Sequence, residues 1–596
     1  MTTRLFKLRF RRRIKQRREQ AKDFGDHAER SFERYVLKRL DRFKAVRRFA
    51  FGWTLLIMCL IGGVIFQNFG LTSYYQSLQP VAGGTYREGV LGTFSTANPL
   101  YATSDVDSSV ARLLFSGLFT YDKDNALVGD LARDYEVSAN GATYTVHLKP
   151  GLRWHDGRPL TSADVLYTYQ SIQNPDAQSP LKGSWQGIVV SAPDPLTVVF
   201  TLPSSLVSFP NTLTNGIVPK HRLERLQPRE LRTADFNTIN PVGSGPFRWQ
   251  AIQVSGSDPS DAQEQLAFSP FEGYHGGRPK LERFVVHAFA DRNELIKEFN
   301  DGALTGLAGL SSLPDELAGS DNYEVHNLLL TAGTYTFFKT THPVLASQPV
   351  RQALVQAANP AAIIEQLPYK TKPVTGPLLT DQLATDPTLA QPKPDLAAAK
   401  AALDADGWIM SADGVRVKDA LPLAFSLAAT DTKEYRMVAK ALQEQWAALG
   451  VKLTVRFYSV ADFQNTLAYH EYDAILYGIS IGIDPDVFVY WDSSQLDIRS
   501  TNRLNLSEYK SAVADEALES GRTRLDPALR TVKYRPFLQA WQQDLPALGL
   551  YQPRIMYLTS GQVAGFAEGT VNSSTDRYRN VHNWMIREAM VTNSRT

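Results

Sequence analysis

Residues Gly141 to Val165 read GATYTVHLKPGLRWHDGRPLTSADV. Behind an Asn140-Gly141 turn signal, Tyr144, Val146 and Leu148 alternate with polar neighbours. That is the period of a strand with one face in a core, and it predicts the second strand of a hairpin. Thr161, followed three residues later by Asp164, has the pattern of a capping box opening a helix that carries Val165, Leu166 and Tyr169. Strand and helix thus sit side by side in one short stretch, so the chain is mixed α and β.

The same mixture continues outward. Tyr435, Val438, Ala439, Leu442, Trp446 and Leu449 fall on one helical face, Gly450 closes that helix, and Val451, Leu453, Val455 and Phe457 alternate as a strand. A further apolar strand, Ala474 to Tyr477, follows at a spacing that admits another helix, the rhythm of an α/β sheet. Joints rich in Pro and Gly lie at Pro241 to Pro246 and Pro368 to Pro377. Residues 83–596 are too many for one ordinary core and suit two or three lobes. With 43% hydrophobic and 21% charged residues among 596, disordered and collagen-like classes are excluded. One cysteine, Cys59, excludes an intrachain disulfide framework and multi-cysteine metal sites.

Before that mass lies a membrane signal. No charge occurs from Phe49 through Tyr86, and FAFGWTLLIMCLIGGVIF, ending at Phe66, makes about 27 Å of helix, close to the hydrocarbon thickness. Residues 1 to 48 hold 18 Lys/Arg, densest from Arg9 to Arg18, against 6 Asp/Glu, a charge of +12 that leaves −10 for the rest. The positive-inside rule keeps that tail cytoplasmic and exports the C-terminal mass. The apolar run is longer than the core of a cleaved signal peptide, no A-x-A site comes soon after it, and Met58 spoils a lipobox before Cys59, so an uncleaved signal anchor is expected. The tail is expected to rest on anionic lipid, and no base-reading motif points to nucleic acid.

Several segments then fall in a familiar order: Asn98-Pro99-Leu100, Gly117-Leu118-Phe119 with Tyr121-Asp122, Leu131-Ala132, the stretch Gly141 to Val165, and Asn240 through Phe247, NPVGSGPF. Val350 to Leu354, LDADGW at Leu403 to Trp408, and Arg522 to Arg530 complete them. From about Gly83 to about Trp584 the chain resembles the bacterial solute-binding proteins of family 5, the oligopeptide- and dipeptide-binding type that serves ABC importers. The resemblance implies a bilobal α/β fold of the periplasmic-binding-protein type, with a hinge and an accessory subdomain. A ligand is enclosed between the lobes, and the closed form is presented to a permease. The expected division is a basic tail at 1–48, an anchor at 49–69, a stalk at 70–82, lobe I at 83–328 with its accessory part at about 101–215, lobe II at 329–555, and a return to lobe I at 556–596. Gly243, Ser244, Gly245 and Pro246 would form a hinge or structural joint, with Gly157 and Gly243 permitting turn geometry and Asp156 ordering its loop.

The sequence departs from the family where peptide ends are held. Family members capture a peptide's α-ammonium with an aspartate shortly before an Asp-Pro pair; here Ile481 stands in that slot and Gly478 replaces a tryptophan. An aliphatic side chain cannot compensate a buried ammonium. Asp484 or Asp486 would have to substitute, or else cap their loop. Lys339 stands where Asn is common, and Thr305-Gly306 replaces an acidic residue. Tyr477, Ser480 and Trp491 are the expected cleft-wall residues, with Lys339 near the hinge strand. The departures fit a different solute, a peptide bound with its end exposed, or a scaffold that has lost uptake.

Two rival chemistries are weaker. Gly478-Ile479-Ser480-Ile481-Gly482 spells G-x-S-x-G, but Asp484-Pro485 interrupts the helix a nucleophile needs, and the only later histidine is His582. Ten scattered histidines and no H-E-x-x-H leave no metal motif. The expectation is a binding protein without catalytic residues or cofactor, taking a peptide or other small polar solute to an ABC permease.

Overall fold

A computed structural model describes residues 47–256, 263–319, 322–380, 382–384, 386–497 and 503–592. The tail expected at 1–48, with its lipid contact, lies outside these residues apart from Arg47 and Arg48. The chain divides into two units, residues 1–79 with 588–596, and residues 80–587.

In the first unit, helix α1 (Arg47–Tyr75) carries the apolar run. Phe49–Gln67 is long and apolar enough to cross a membrane, and none of it is buried against protein. The helix overruns the 49–69 expected for the anchor, because no proline stops it before Pro80. The stretch expected as a stalk at 70–82 is instead the end of this helix and then a strand, Gln76–Val81, which pairs with the C-terminal strand Arg587–Thr592.

Twelve strands build the two main sheets of the second unit. In chain order they are β1 (Thr85–Leu91), β2 (Phe247–Ser255), β3 (Gln263–Pro270), β4 (Arg283–Phe289), β5 (Gly306–Ala308), β6 (Glu324–Leu329), β7 (Ala332–Phe338), β8 (Ala424–Thr430), β9 (Lys452–Tyr458), β10 (Ala474–Ser480), β11 (Ala547–Tyr551) and β12 (Arg554–Thr559). The first sheet has the order β6-β12-β5-β1-β4-β3-β2 and the second β9-β8-β10-β7-β11. Each frames one lobe of a bilobal α/β fold. Helix α2 (Lys433–Ala447) joins β8 to β9, which pair in parallel, and buries Val438, Ala439, Leu442 and Trp446. Gly450, at φ +93°, ends that crossover where a side chain would be strained. All seven residues of β7 are buried, so AGTYTFF shows no alternation: the strand lies inside its sheet with both faces covered.

The chain passes between the sheets at Leu330–Thr331 and again at Gln552–Pro553. Pro553 has no N–H to donate to a ladder, which suits a residue leaving one sheet for another. The second crossing therefore falls before β12, which lies wholly in the first sheet, rather than at 555 and 556. The hairpin predicted around Asn140-Gly141 pairs Ala132–Val137 with Thr143–Leu148, and the capping box closes, with Thr161 N donating to Asp164 Oδ2 at 2.9 Å. Tyr144, Val146 and Phe200 of this accessory sheet share one hydrophobic cluster with Tyr86, Phe284 and Trp584 of the first lobe. The accessory part has no separate core.

Candidate functional site

The two crossings lie side by side. Leu330 N donates to the Pro553 carbonyl at 2.9 Å, and Gln552 Nε2 to the Leu330 carbonyl at 3.3 Å. The loop after β10 is tied to the same point, because Ile481 N and Gly482 N both donate to the Thr331 carbonyl, at 3.0 and 2.8 Å. Thr331 in turn donates through N and Oγ1 to Val571 and Asn572 of the returning chain, at 2.8 and 2.6 Å. Strand ends, loop and C-terminal return are thus pinned at the hinge.

Beside it opens a cavity of about 370 Å³ in the size range of small-molecule sites. Val90 from β1, Gly309 after β5, Leu330 of the crossing, and Arg554 and Met556 of β12 line it. Asp105, Ser574 and Arg577 add polar groups. Arg577 is fully buried, with Nε on Glu88 Oε1 at 2.7 Å and Nη2 on Ser109 Oγ at 2.7 Å, so its charge is compensated from below. Across the hinge, Glu434 of α2 accepts from Tyr551 at 2.8 Å and from Tyr369 at 3.2 Å. Burial pushes its carboxyl above the ordinary range, against the pull of these hydroxyls and of Arg554.

A second set of contacts joins the lobes farther out. Ser208 Oγ donates to Asp486 Oδ2 at 3.0 Å, Val207 N to the Arg522 carbonyl at 3.1 Å, and Ser205 Oγ to the Thr523 carbonyl at 2.9 Å. Arg522 Nη2 holds Asp486 Oδ2 at 2.9 Å, and its guanidinium lies 4.2 Å over the Phe488 ring.

None of the ligand-binding candidates from the sequence lines the cavity, and only Asp486 takes part in the outer contacts. Ser480 ends β10 exposed, and Tyr477 is half-buried against Phe463. Trp491 cannot form a wall: it is fully buried, between Phe337 at 5.6 Å and Trp541 at 5.8 Å in the second lobe's core. Asp484 is engaged by both Nη atoms of Arg530, at 2.7 and 2.5 Å, and Asp486 by Arg522 and Ser208. Both carboxylates thus hold protein cations, not an open position for an ammonium. Lys339 follows β7 at the end opposite Ser480, which pairs with Ala332, and is held by the His470 carbonyl at 2.9 Å and Glu508 at 3.6 Å. It is remote from the hinge. Ile481 is buried. No histidine side chain hydrogen-bonds Ser480 among the described residues, and the next helix starts at Phe488. No group of three His, Cys, Asp or Glu side chains suited to a metal occurs among them either.

The joint Gly243 to Pro246 packs against the chain at Leu114 and lies at neither crossing, so it is not the hinge, and the reason for glycine at Gly243 differs from the one expected. Its φ is not positive; a Cβ there would overlap the Leu114 carbonyl oxygen. Gly157, at φ +85°, does hold a turn. Arg554, Glu434 and Ser208 belong to no motif that sequence reasoning singles out, and Arg522 opens a matched segment without any role assigned to it there. Pro553 next to Arg554 is the one local sign, a break where the chain returns.

A model of the bacterial extracellular solute-binding proteins, family 5 middle region, matches residues 126–499. Protein XP55 of Streptomyces lividans is 28% identical over 466 residues, 76% of this chain and 81% of that one. The oligopeptide-binding protein AppA of Bacillus subtilis is 24% identical over 485 residues, 80% and 87% of the two chains. Among solved structures, the ABC transporter substrate-binding protein CtaP from Listeria monocytogenes superposes with a TM-score of 0.72 at 24% identity, over 85% of this chain and 99% of its own. NikZ from Campylobacter jejuni, in complex with Ni(L-His), gives 0.69 at 24%, over 84% and 99%. The family model spans more than half of the chain and the two-sheet fold with its paired crossings agrees with it, so the protein belongs to the bacterial extracellular solute-binding proteins of family 5.

Proposed function

We propose that the protein is the receptor of an ABC importer. α1 anchors it with the N-terminal tail in the cytoplasm against anionic lipid, and the two lobes lie outside, capture a peptide-like or other small polar solute and deliver it to the permease. The observation that carries this reading is a ligand-sized cavity at a two-strand hinge, with further contacts joining the lobes beyond it. Such a frame closes on a ligand to the extent that the ligand binds the closed form more tightly. The names of relatives support the solute class: AppA of Bacillus subtilis is an oligopeptide-binding protein, and its structure holds a nonapeptide. Tyr477 and Ser480 remain candidate contacts. The surroundings of Ser480 support binding rather than hydrolysis, since the next helix starts only at Phe488 and no histidine side chain among the described residues hydrogen-bonds it.

Full-length protein, purified in detergent and then denatured, is expected to release a bound small molecule detectable by mass spectrometry. Its melting temperature is expected to rise with peptide mixtures. Empty protein with no thermal shift would support a scaffold on the same fold instead. Ester or peptide turnover lost in Ser480→Ala would overturn the non-enzymatic reading.

A further inference from the structure

Arg554 opens β12 directly after the second crossing and faces the hinge cavity. Its guanidinium stacks on Tyr369, with Cζ 4.2 Å from the ring centroid, and Nη1 donates to Asn327 Oδ1. Nε is buried without an acceptor. No carboxylate of the described residues lies within 4.0 Å of its nitrogens. The carboxylates nearby accept from other groups: Glu434, which feels the charge of Arg554 without pairing with it, from the hydroxyls of Tyr369 and Tyr551, and Asp105 from Ser574 Oγ at 2.8 Å. The cavity's other cation, Arg577, is matched by Glu88. Arg554 is therefore the one cation lining this cavity that lacks an ion partner among the described residues, and Leu330, Ile555 and Met556 beside it make the surroundings apolar.

A half-desolvated guanidinium favours an incoming anion, and its planar fork matches a carboxylate with two parallel hydrogen bonds. Stacking on Tyr369 and the bond to Asn327 fix the plane in advance, so little side-chain freedom remains to be lost on binding.

We infer that Arg554 selects the solute by its carboxylate: the ligand places a carboxylate on the guanidinium and its apolar part against Leu330, Ile555 and Met556. This rests on the receptor reading above and narrows it to acidic solutes or solutes with a free C-terminus. It also shifts recognition from the ammonium end, where Ile481 offers nothing, to the anionic end.

Three tetrapeptide pools test it on the full-length protein in detergent, with retention read by mass spectrometry. One has free C-termini and no Asp or Glu, one has amidated C-termini with Asp and Glu included, and one is amidated without them. Wild-type protein is expected to retain a carboxylate-bearing pool about 10- to 100-fold better than the third, the worth of a hydrogen-bonded charge pair. Whichever of the first two is retained identifies the carboxylate's source. Arg554→Gln is expected to erase the preference and Arg554→Lys to keep part of it. Equal retention of all three pools by wild-type protein, or an undiminished preference in Arg554→Gln, overturns the role of Arg554 and leaves the receptor reading standing. Retention of no pool by wild-type protein overturns the peptide-receptor reading itself, and this inference with it.

Discussion

His155 sits between the two glycines of the joint. Nδ1 accepts from Gly243 N at 3.1 Å and Nε2 donates to the Gly245 carbonyl at 3.0 Å, an arrangement only the neutral ring can make. Burial lowers its pKa from the ordinary value to about 4. The unfolded chain therefore takes up this proton first as pH falls. The contribution of His155 to stability is complete above about pH 6.5 and is lost progressively towards pH 4. Replacing it with Asn should flatten the melting temperature's dependence on pH over that window and lower stability at pH 7 by roughly 1–2 kcal/mol, read by thermal unfolding across pH. Gly243→Ala should cost ~1–3 kcal/mol by overpacking, seen as a lower denaturation midpoint. The structural role of the HDG segment was legible because turn residues act locally. The reason for Gly243 was not: the Leu114 carbonyl that excludes a side chain comes from a distant part of the chain.

Among elements, what local patterns encode was readable and what pairs across the hinge was not. The hairpin at Asn140-Gly141, the capping box at Thr161, and the helix-strand step closed by Gly450 are each set within a few residues. Asp484 and Asp486 read as substitutes for the missing aspartate or as caps of their loop, since nothing in the sequence brings Arg530 and Arg522 to them. That pairing comes from the packing of two helices, α3 (Ala512–Arg522) and α4 (Pro527–Asp544), beside the loop. The contact of Ser208 with Asp486 then links the accessory part to the second lobe. Ser208→Ala removes one hydrogen bond to a charged acceptor, about 1.5 kcal/mol, which is roughly a tenfold change in the ratio of closed to open forms. Fluorescence transfer between dyes on the two lobes should show the open population rising, with β7 and the second lobe's core unaffected. An unchanged distribution would mean that the Ser208–Asp486 bond does not hold the lobes, leaving that to the hinge and to the contacts of Val207 and Ser205.

For the whole molecule, the near-neutral total of +2 conceals a +12 tail and a remainder of −10. The apolar helix between them carries no direction of its own, since Phe49–Gln67 has no charge and would span a membrane equally well either way. Orientation must then come from the flanks, and only the N-terminal flank is basic. In sealed right-side-out vesicles, external protease should digest the lobes and spare an N-terminal epitope; in inverted vesicles the epitope should be cut and the lobes spared. Changing the Lys and Arg residues between Arg9 and Arg18 to Gln removes the densest part of the bias, and because charges closest to the helix count most, Arg42, Lys44, Arg47 and Arg48 would still hold most chains in place. Neutralising both groups should therefore produce a mixed population, detectable as partial protection in both vesicle types. Uniform orientation after both changes would show that the exported lobes, rather than the tail, dictate how the helix inserts.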